Sequence, residues 1–280
     1  MLDVERWTAF TEDPAGGNPA GVVVADTQPD RGTMQRIAAE VGYSETAFLV
    51  PEGPGRWWCR YFAPAAEVPF CGHATIASGV ALATGDPALE RAVLSTSVGD
   101  VAVAMDRAGP AVRAELTSPA ADVAPLDDAD LDALLTCFGW DRDALDAALP
   151  PAVGFGGARH PVLALRDRAI LAAMDYGFDA LRDLMAANDW TTIQVVHRED
   201  PATFHARDPF PVGGVVEDPA TGAAAAALGA YLRGRGDLPP DGRLVVHQGV
   251  DMGRPSLLHV DASGTGGIRV AGTAVPIPVG

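Results

Sequence analysis

The stretch EVPFCGHATIASGVAL, residues 67–82, places a Cys, a Gly and a His at the start of an Ala-rich apolar run. A second stretch, VVEDPATGAAAAALGAYL, residues 215–232, has the same form: polar residues and a Thr-Gly pair precede small apolar residues. A helix that is apolar on every face is expected to be buried. The two stretches therefore predict two buried helices, each entered through a loop that carries reactive side chains.

The two stretches are predicted to be copies of one internal repeat. Three pairs of residues show this: Pro64 with Pro211 and Cys71 with Asp218, both at an offset of 147, and Thr75 with Gly222 at the same offset. Two unrelated Ala-rich helices are the alternative in a chain of this composition. The shared Pro, the loop length and the Thr/Gly neighbours favour a true repeat, with a boundary between the halves near Pro119.

The composition is that of a folded enzyme or binding protein. The 280 residues are 48% hydrophobic and 20% charged, which suits one large domain or two smaller ones. No run of 18 or more apolar residues occurs, and the N-terminus MLDVERW lacks the basic and apolar regions of a signal peptide. We therefore expect a cytoplasmic protein with no membrane partner.

Charge and cysteine content exclude several kinds of partner. The net charge is −17, from 20 basic and 37 acidic residues, and such a surface repels phosphate backbones, so a nucleic-acid partner is not expected. Three cysteines without CxxC spacing indicate neither a disulfide framework nor a zinc cluster. Cys71 and His73 lie close together without another ligand cluster, so no metal is expected.

The chain contains no lysine, since all 20 basic residues are arginine. A Schiff base to pyridoxal phosphate, a Walker A phosphate loop and an SxxK nucleophile each need a lysine amine. The sequence also lacks a GxSxG elbow, an HExxH pair and a GxGxxG turn between a strand and a helix. These absences exclude several large classes of enzyme.

Periodicity and turn residues predict a mixed order of strands and helices. Beyond the two buried helices, helical spacing is found in three segments: TMQRIAAEVG at 33–42, DADLDALLTCFG at 128–139 and FDALRDLMAAND at 178–189. Short apolar runs such as SETAFLV at 44–50 and TTIQVVHRE at 191–199 predict strands. The Pro/Asp-rich passage that follows residue 117 is predicted to open the second half.

The loop that enters each buried helix is a candidate anion site. Such a loop presents unpaired backbone N–H groups at the positive end of the helix dipole. Gly72 and Gly222 let a ligand approach that backbone closely. Two pseudo-symmetric halves would aim both helix starts at one cleft, which could hold a carboxylate or an enolate-like oxyanion.

Acid–base candidates accompany these loops, and each has a structural alternative. The candidates are Glu45, Cys71, His73 and Asp218. Cys71 is also consistent with a small buried hydrophobe, His73 with a core histidine, and Asp218 with a helix cap. Glu45 lies in an apolar run, which indicates partial burial and suits a general acid, although a surface-facing Glu is the alternative.

Six motifs in order carry a resemblance to a known family. They are DVERWTAFTEDPAGGNPAGVVV, VGYSETAFLV, YFAPAAEVPFCGHATIASG, VEDPATGAAAAALGAYL, HQGVDMGRPSLLHV and IRVAGTA. The chain resembles the PhzF-like isomerases of phenazine biosynthesis, a branch of the diaminopimelate epimerase superfamily, along its whole length. The resemblance implies an α+β fold of two pseudo-symmetric halves, each a curved barrel-like sheet around a central helix.

The resemblance also implies where the halves and the site lie. The N-terminal half is expected at 1–118, completed by a C-terminal strand at about 266–280, and the C-terminal half at 119–265, with the active site between them. Glu45, His73 and Asp218 are implied as catalytic residues. Substrate-binding residues are implied at six further positions: Asn18, Ser44, Cys71, Gly72, Gly222 and Ala223. The resemblance implies a homodimer and implies no cofactor.

The implied reaction is an isomerisation that moves a proton and a double bond in a small carboxylated molecule, such as 2,3-dihydro-3-hydroxyanthranilate. Cys71 has no partner Cys in the second loop, so the two-thiol epimerisation of the superfamily is not expected. The family usually has Ser at the position of Ala223. This departure leaves two alternatives: a non-catalytic small-anion-binding protein, and an amino-acid racemase or epimerase that uses Glu45 and Cys71 as unequal bases.

Overall fold

The computed structural model describes residues 2–109 and 111–278 of the chain. Two compact units are present: unit 1 is Met1–Thr117 with Ala271–Gly280, and unit 2 is Ser118–Val270. The extent expected from the sequence for the N-terminal half includes positions 1, 110, 279 and 280, which lie outside the described residues. Among the residues described, no helix is both long and apolar enough to cross a membrane.

The first part of the chain alternates strands and helices. Its elements are β1 (Glu5–Ala9), β2 (Asn18–Val24), α1 (Arg31–Val41), β3 (Glu45–Gly53), β4 (Arg56–Phe62), β5 (Glu67–Val68), α2 (Gly72–Gly85), β6 (Arg91–Thr96), β7 (Gly99–Asp106) and β8 (Arg113–Ala120). Helix α1 begins where Asp30 accepts a hydrogen bond from the Thr33 N–H and ends at Gly42, whose φ of 73° favours glycine. The predicted end of this helix is thus confirmed.

The second part of the chain has more helices. Its elements are β9 (Asp122–Pro125), α3 (Asp128–Phe138), β10 (Ala152–Phe155), β11 (Arg159–Leu165), α4 (Arg168–Ala172), α5 (Phe178–Asn188), β12 (Gln194–Arg198), β13 (Thr203–Pro209), β14 (Glu217–Asp218), α6 (Gly222–Arg235), β15 (Arg243–Gln248), β16 (Ser256–Asp261) and β17 (Gly267–Pro276). Single turns of 3-10 helix lie at Arg142–Ala144, Pro211–Gly213 and Val250–Met252.

The same sequence of strand pairings occurs in both units. In unit 1, β1/β2 is antiparallel, β2/β3 parallel, β3/β4 antiparallel, β4/β6 parallel and β6/β7 antiparallel. In unit 2, the pairs β10/β11, β11/β12, β12/β13, β13/β15 and β15/β16 repeat that order. Each parallel pair needs a crossover, and helices supply it in both units. The predicted internal repeat is confirmed.

The strands of unit 1 form a closed barrel. Strand β17 pairs with both β1 and β8, so the order β1-β2-β3-β4-β6-β7-β8-β17 returns to its start. Helix α2 packs against β1, β2, β3 and β7, and helix α6 of unit 2 packs in the same way against β9, β10, β11, β12 and β16. Both helices have 14 residues and are buried along most of their length. The two central helices are therefore confirmed.

The register predicted for the repeat is wrong beyond β4 and β13. Those strands end 147 residues apart, as predicted. The 3-10 turn Pro211–Gly213 then makes the second loop longer than the first. As a result, β5 and β14 begin 150 residues apart, and so do α2 and α6.

At the offset of 150 the two loops match closely. EVPFCGHA at 67–74 and EDPATGAA at 217–224 share a Glu, a Pro, a Gly and an Ala at equal positions. Cys71 corresponds to Thr221, because each immediately precedes its helix. Asp218 corresponds to Val68. The predicted pairing of Cys71 with Asp218 is therefore wrong, since a loop of different length cannot be recognised from residue spacing alone.

Substitution of Gly156 is expected to disturb the start of α6. A methyl group there would lie 2.5 Å from the Ala223 carbonyl oxygen and 2.7 Å from Ala226 Cβ. Forcing a side chain into packed structure costs about 1–3 kcal/mol. We expect Gly156→Ala to lower the free energy of unfolding by that amount in a urea titration. Gly264→Ala, which meets nothing within 4 Å, is the control, and equal losses in both variants would contradict the packing argument.

Candidate active site

Five side chains of unit 1 meet around the start of α2. Asn18 and Glu45 are the first residues of β2 and β3, which run parallel and place Ala20 opposite Glu45. Ser44 immediately precedes β3. Helix α2 packs on β2 and brings His73, near its first residue, to the same place. The sheet and the central helix thus gather residues that lie up to 55 positions apart in the sequence.

His73 is the centre of this group. Its side chain is buried, and Asn18 Nδ2 lies 3.1 Å from His73 Nδ1. On the other side of the ring, Nε2 lies 3.4 Å from Glu45 Oε2 and 3.3 Å from Ser44 Oγ. Because the Asn18 amide donates to Nδ1, the neutral ring carries its proton on Nε2. Nε2 therefore carries the proton on the side of the ring where Ser44 and Glu45 lie.

Cys71 completes the group. Its sulfur lies 3.4 Å from His73 Nδ1 and 3.8 Å from Nε2, and its side chain is buried. The ligating atoms of Glu45, Cys71 and His73 all lie within 4.8 Å of one another. From the sequence, Cys71 and His73 lacked a third ligand, and the fold supplies one in Glu45. The same side chains can therefore serve acid–base chemistry or hold a metal ion.

The start of α2 is the position at which an anion site was expected from the sequence. Gly72 is its first residue, and Cys71 immediately precedes it. The N–H groups of the first turn lie at the positive end of the helix dipole. Thr75 fixes this end, because its hydroxyl donates to the Cys71 carbonyl oxygen at 2.7 Å and contacts the Tyr61 hydroxyl at 2.6 Å.

In unit 2, the loop before α6 holds Asp218 in a defined orientation. The Thr221 hydroxyl donates to Asp218 Oδ2 at 2.6 Å. Gln248 donates to the same Thr221 hydroxyl at 3.0 Å and to the Asp218 carbonyl oxygen at 2.8 Å, and accepts from the Thr221 N–H at 3.0 Å. Thr221, and not Asp218, occupies the capping position of the helix. Gly222 and Ala223 follow as its first residues.

A buried ion pair supports the same loop. Arg207 on β13 donates to Glu217 on β14, with Nε at 2.9 Å from Oε2 and a second, shorter contact from Nη2 to Oε1. Both side chains are at most 10% exposed. Arg60 and Glu67 form the equivalent pair in unit 1. Neither ion pair was predicted from the sequence, although the Arg and the Glu occur in both copies of the repeat.

Beneath β14 lies a second buried polar chain that the sequence analysis also missed. The Thr192 hydroxyl donates to Asp208 Oδ1 at 2.9 Å and lies 2.9 Å from His160 Nδ1. Gln194, with its amide nitrogen turned towards Asp208, donates to both carboxyl oxygens at 2.8 and 3.1 Å. Burial raises the pKa of Asp208 well above its ordinary value, and Asp218 and Glu217 raise it further.

His160 makes the stability of the fold depend on pH. Burial lowers the pKa of His160 to about 4, from an ordinary value of 6.5. As the pH falls, His160 therefore takes up a proton in the unfolded chain at a higher pH than in the folded chain. Because proton uptake favours the unfolded chain, the free energy of unfolding decreases between pH 6.5 and pH 4. The shift corresponds to about 3 kcal/mol. We expect the free-energy difference between wild type and His160→Asn to shrink by that amount between pH 7 and pH 4, measured by urea unfolding. A difference that stays constant over this range would contradict the prediction.

The fold gathers most of the residues expected from the sequence, each within its own unit. Unit 1 brings together the expected positions around α2: Asn18, Ser44, Glu45, Cys71, Gly72 and His73. Unit 2 places the remaining three at the start of α6: Asp218, Gly222 and Ala223.

The sequence of the chain is similar to a known protein family and to individual members of it. Residues 7–280 match the family model described as phenazine biosynthesis-like protein. An uncharacterized isomerase of Deinococcus radiodurans is 32% identical over 273 residues, covering 95% of this chain and 87% of that protein. A trans-2,3-dihydro-3-hydroxyanthranilate isomerase of Pseudomonas chlororaphis is 31% identical over 266 residues, covering 91% and 88%.

Solved structures show the same fold. The phenazine biosynthesis protein of the PhzF family from Bacillus anthracis superposes with a TM-score of 0.87 at 24% identity, covering 99% of this chain and 97% of that one. A hydroxyproline epimerase from Agrobacterium vitis superposes with a TM-score of 0.65 at 12% identity, covering 98% and 90%. These likenesses concern the fold alone, and they confirm the expected α+β, diaminopimelate epimerase-like architecture.

Proposed function

This chain belongs to the phenazine biosynthesis-like family and is an isomerase, and from that premise we propose that it moves a proton and a double bond within a small carboxylated substrate. A proton leaves one carbon, the double bond shifts, and a proton returns to another carbon, so no atom is gained or lost. The reaction needs an acid–base group at the carbon skeleton and an anchor for the carboxylate. Candidates for both occur at the start of α2.

The contact between Glu45 and His73 is the observation that carries the proposal. Glu45 acts as the acid–base group at carbon, since its carboxylate is partly exposed and thus open to a substrate. His73 Nε2 lies 3.4 Å from that carboxylate, and Asn18 orients the ring through Nδ1. An imidazole held from one side by an amide can exchange a proton on its other side with little motion.

The remaining residues are proposed to bind the substrate. N–H groups near Gly72 at the start of α2 are proposed to hold its carboxylate. In unit 2, those near Gly222 and Ala223 at the start of α6 are proposed as substrate-binding donors as well. Ser44 and Cys71 are proposed to contact the substrate from the group around His73. The family usually has Ser at the position of Ala223. Because Ala223 has no hydroxyl, only its backbone N–H can donate to the substrate at that position.

Asp218 is proposed as a catalytic residue of unit 2 that positions the polar groups of the substrate. The Thr221 hydroxyl fixes one of its carboxylate oxygens at 2.6 Å. Asn18 is proposed to bind the substrate as well as to orient His73. The proposal further includes a reaction without a cofactor and a homodimer, both implied by the family resemblance, and a cytoplasmic location, expected from the sequence of the N-terminus.

Deuterium exchange tests this function. The protein is incubated in D2O with trans-2,3-dihydro-3-hydroxyanthranilate and a panel of small carboxylated amines, and mass spectrometry and NMR follow deuterium on carbon. Incorporation with a shifted double bond supports the isomerase. Incorporation at Cα of an amino acid, without a double-bond shift, would favour a racemase. Binding of one compound without any exchange would favour the non-catalytic binding protein.

A further inference from the structure

Three side chains of unit 1 present one zinc-ligating atom each to a common space. The carboxylate Oε2 of Glu45 lies 3.4 Å from His73 Nε2, and the sulfur of Cys71 lies 3.8 Å from the same nitrogen. All three ligating atoms lie within 4.8 Å of one another. Across the described ranges, no other group of three His, Cys, Asp or Glu side chains meets this condition.

These separations are close to the edges of a zinc coordination tetrahedron. Zinc lies about 2.3 Å from a thiolate sulfur, about 2.0–2.1 Å from an imidazole nitrogen and about 2.0–2.2 Å from a carboxylate oxygen. At tetrahedral angles, the nitrogen–oxygen edge is about 3.4 Å and the sulfur–nitrogen edge about 3.6 Å. The observed edges at His73 Nε2 are 3.4 and 3.8 Å. The sulfur lies nearer to Nδ1, at 3.4 Å, and up to 4.8 Å from the carboxylate oxygen. The Cys71 side chain therefore has to shift by about 1 Å to complete the tetrahedron, with a fourth position left for water.

The charge and softness of the group favour zinc. One thiolate from Cys71 and one carboxylate from Glu45 balance the two positive charges of the ion, which lowers the cost of placing it among buried groups. Sulfur and imidazole ligands select zinc over magnesium or calcium, which prefer oxygen. Glu45, whose side chain is 17% exposed, gives the ion a route to the buried Cys71 and His73.

Binding requires two proton movements, and both are accessible. The Cys71 thiol releases its proton to solvent as zinc binds its sulfur. His73 must bind zinc through Nε2, so its proton moves to Nδ1, where Asn18 lies at 3.1 Å. A half-turn of the Asn18 side-chain amide then presents oxygen instead of nitrogen, and this oxygen accepts the Nδ1–H. A hydrogen bond of that kind orients most zinc-binding histidines.

We propose that Glu45, Cys71 and His73 form a zinc-binding site. Zinc bound there engages the same Glu45 and His73 that are proposed to exchange protons with the substrate, so it blocks the isomerisation. That consequence rests on the proposed function, whereas the binding of zinc does not. Zinc and substrate are therefore expected to compete for the same binding site.

Zinc titration by calorimetry tests the site directly, with Cys137→Ser as the matched control. Cys137 is partly exposed and lies in unit 2, outside the group. We expect wild type and Cys137→Ser to bind a single ion with equal affinity. We expect Cys71→Ser to bind it at least about 100-fold more weakly, because even loss of a group that merely orients a ligand costs about 10–100-fold. Circular dichroism establishes that each variant is folded.

Cobalt(II) substitution identifies the ligands. Thiolate-to-cobalt charge-transfer absorption is expected in wild type and Cys137→Ser and absent in Cys71→Ser. Zinc binding of equal strength in Cys71→Ser, or no zinc binding by wild type, would overturn the proposal. Tight binding that leaves the isomerase rate unchanged would uphold the zinc site and contradict the roles proposed for Glu45 and His73.

Discussion

Glu45→Gln is expected to slow the proposed isomerisation by at least about 100-fold, because general acid–base catalysis contributes about 10²–10⁴-fold. Glutamine has the shape of glutamate but can neither take up nor release a proton at the carbon of the substrate. The loss should appear in kcat, as the rate at which deuterium enters the substrate from D2O. Binding of the substrate is expected to change far less, since the proposed carboxylate anchors at Gly72 remain.

Glu52→Gln is the matched control for this variant. Glu52 lies on the same strand, β3, and its side chain is 40% exposed beside Arg56, with a separation of 3.8 Å. An exposed ion pair of this kind contributes little to stability, so Glu52→Gln should keep both fold and rate. If Glu45→Gln also keeps its rate on a confirmed substrate, the acid–base role belongs to another residue and the proposed mechanism is wrong.

A further check separates chemistry from structure. The Glu45 side chain contacts His73, so its loss could disturb the ring rather than remove a proton donor. A variant with a disturbed ring would bind substrate more weakly, and its KM would rise together with the fall in kcat. A variant that has lost only the acid–base group keeps its KM. The split between these two constants therefore decides between the roles.

Elements whose pattern lies within one continuous stretch of residues could be predicted from the sequence. The small-residue runs at 72–85 and 222–235 predicted both central helices, because a helix with no polar face has to be buried. The helix at 33–42 was predicted from its spacing and its final glycine. Glu45 and His73 were candidates from their positions in the sequence, and the family resemblance implied their catalytic roles. Their contact follows from the packing of α2 against the barrel, which no spacing rule gives.

The elements that were missed have weak local signals. Strand β9 has the sequence DVAP and β10 has AVGF, each only four residues long, with a Pro or a Gly that normally argues against a strand. They form because they pair with each other, and β10 also pairs with β11. Helix α4 has five residues, too few for a periodic pattern.

The buried polar groups were missed for a related reason. Thr192, Asp208 and His160 come from three separate segments of unit 2 and meet only when β11, β12 and β13 pair. In the sequence, each appears as an ordinary polar residue beside an apolar run. The register error in the repeat has a different origin, because the predicted offset of 147 assumed loops of equal length, whereas the second loop contains the extra turn Pro211–Gly213.

Glu217→Gln is expected to lower the free energy of unfolding by about 3–5 kcal/mol, the usual cost of leaving one member of a buried ion pair without its partner. The Arg207 guanidinium would keep the carbonyl oxygens of Leu171, Ala172 and Met174, each 3.1–3.2 Å away, but lose its paired carboxylate. These dipoles cannot replace a full negative charge in a buried place. Urea unfolding monitored by circular dichroism measures the loss.

The internal repeat supplies the control. Glu67→Gln breaks the equivalent pair in unit 1, but there the Arg60 side chain is 31% exposed and water replaces the lost carboxylate. That variant should lose no more than about 1 kcal/mol. Equal losses for Glu67→Gln and Glu217→Gln would show that burial does not set the strength of these pairs.

The double variant Arg207→Met with Glu217→Leu tests the cause of the loss. Apolar residues of similar size remove both charges at once, and such replacements of buried ion pairs are often neutral or stabilising. The double variant should therefore recover most of the stability that Glu217→Gln loses. A recovered fold whose isomerase rate is still low would indicate that the pair holds the neighbouring Asp218 in place for the reaction, because β14 consists of Glu217 and Asp218 alone. A double variant as unstable as the single one would instead locate the loss in the carbonyl contacts of Arg207.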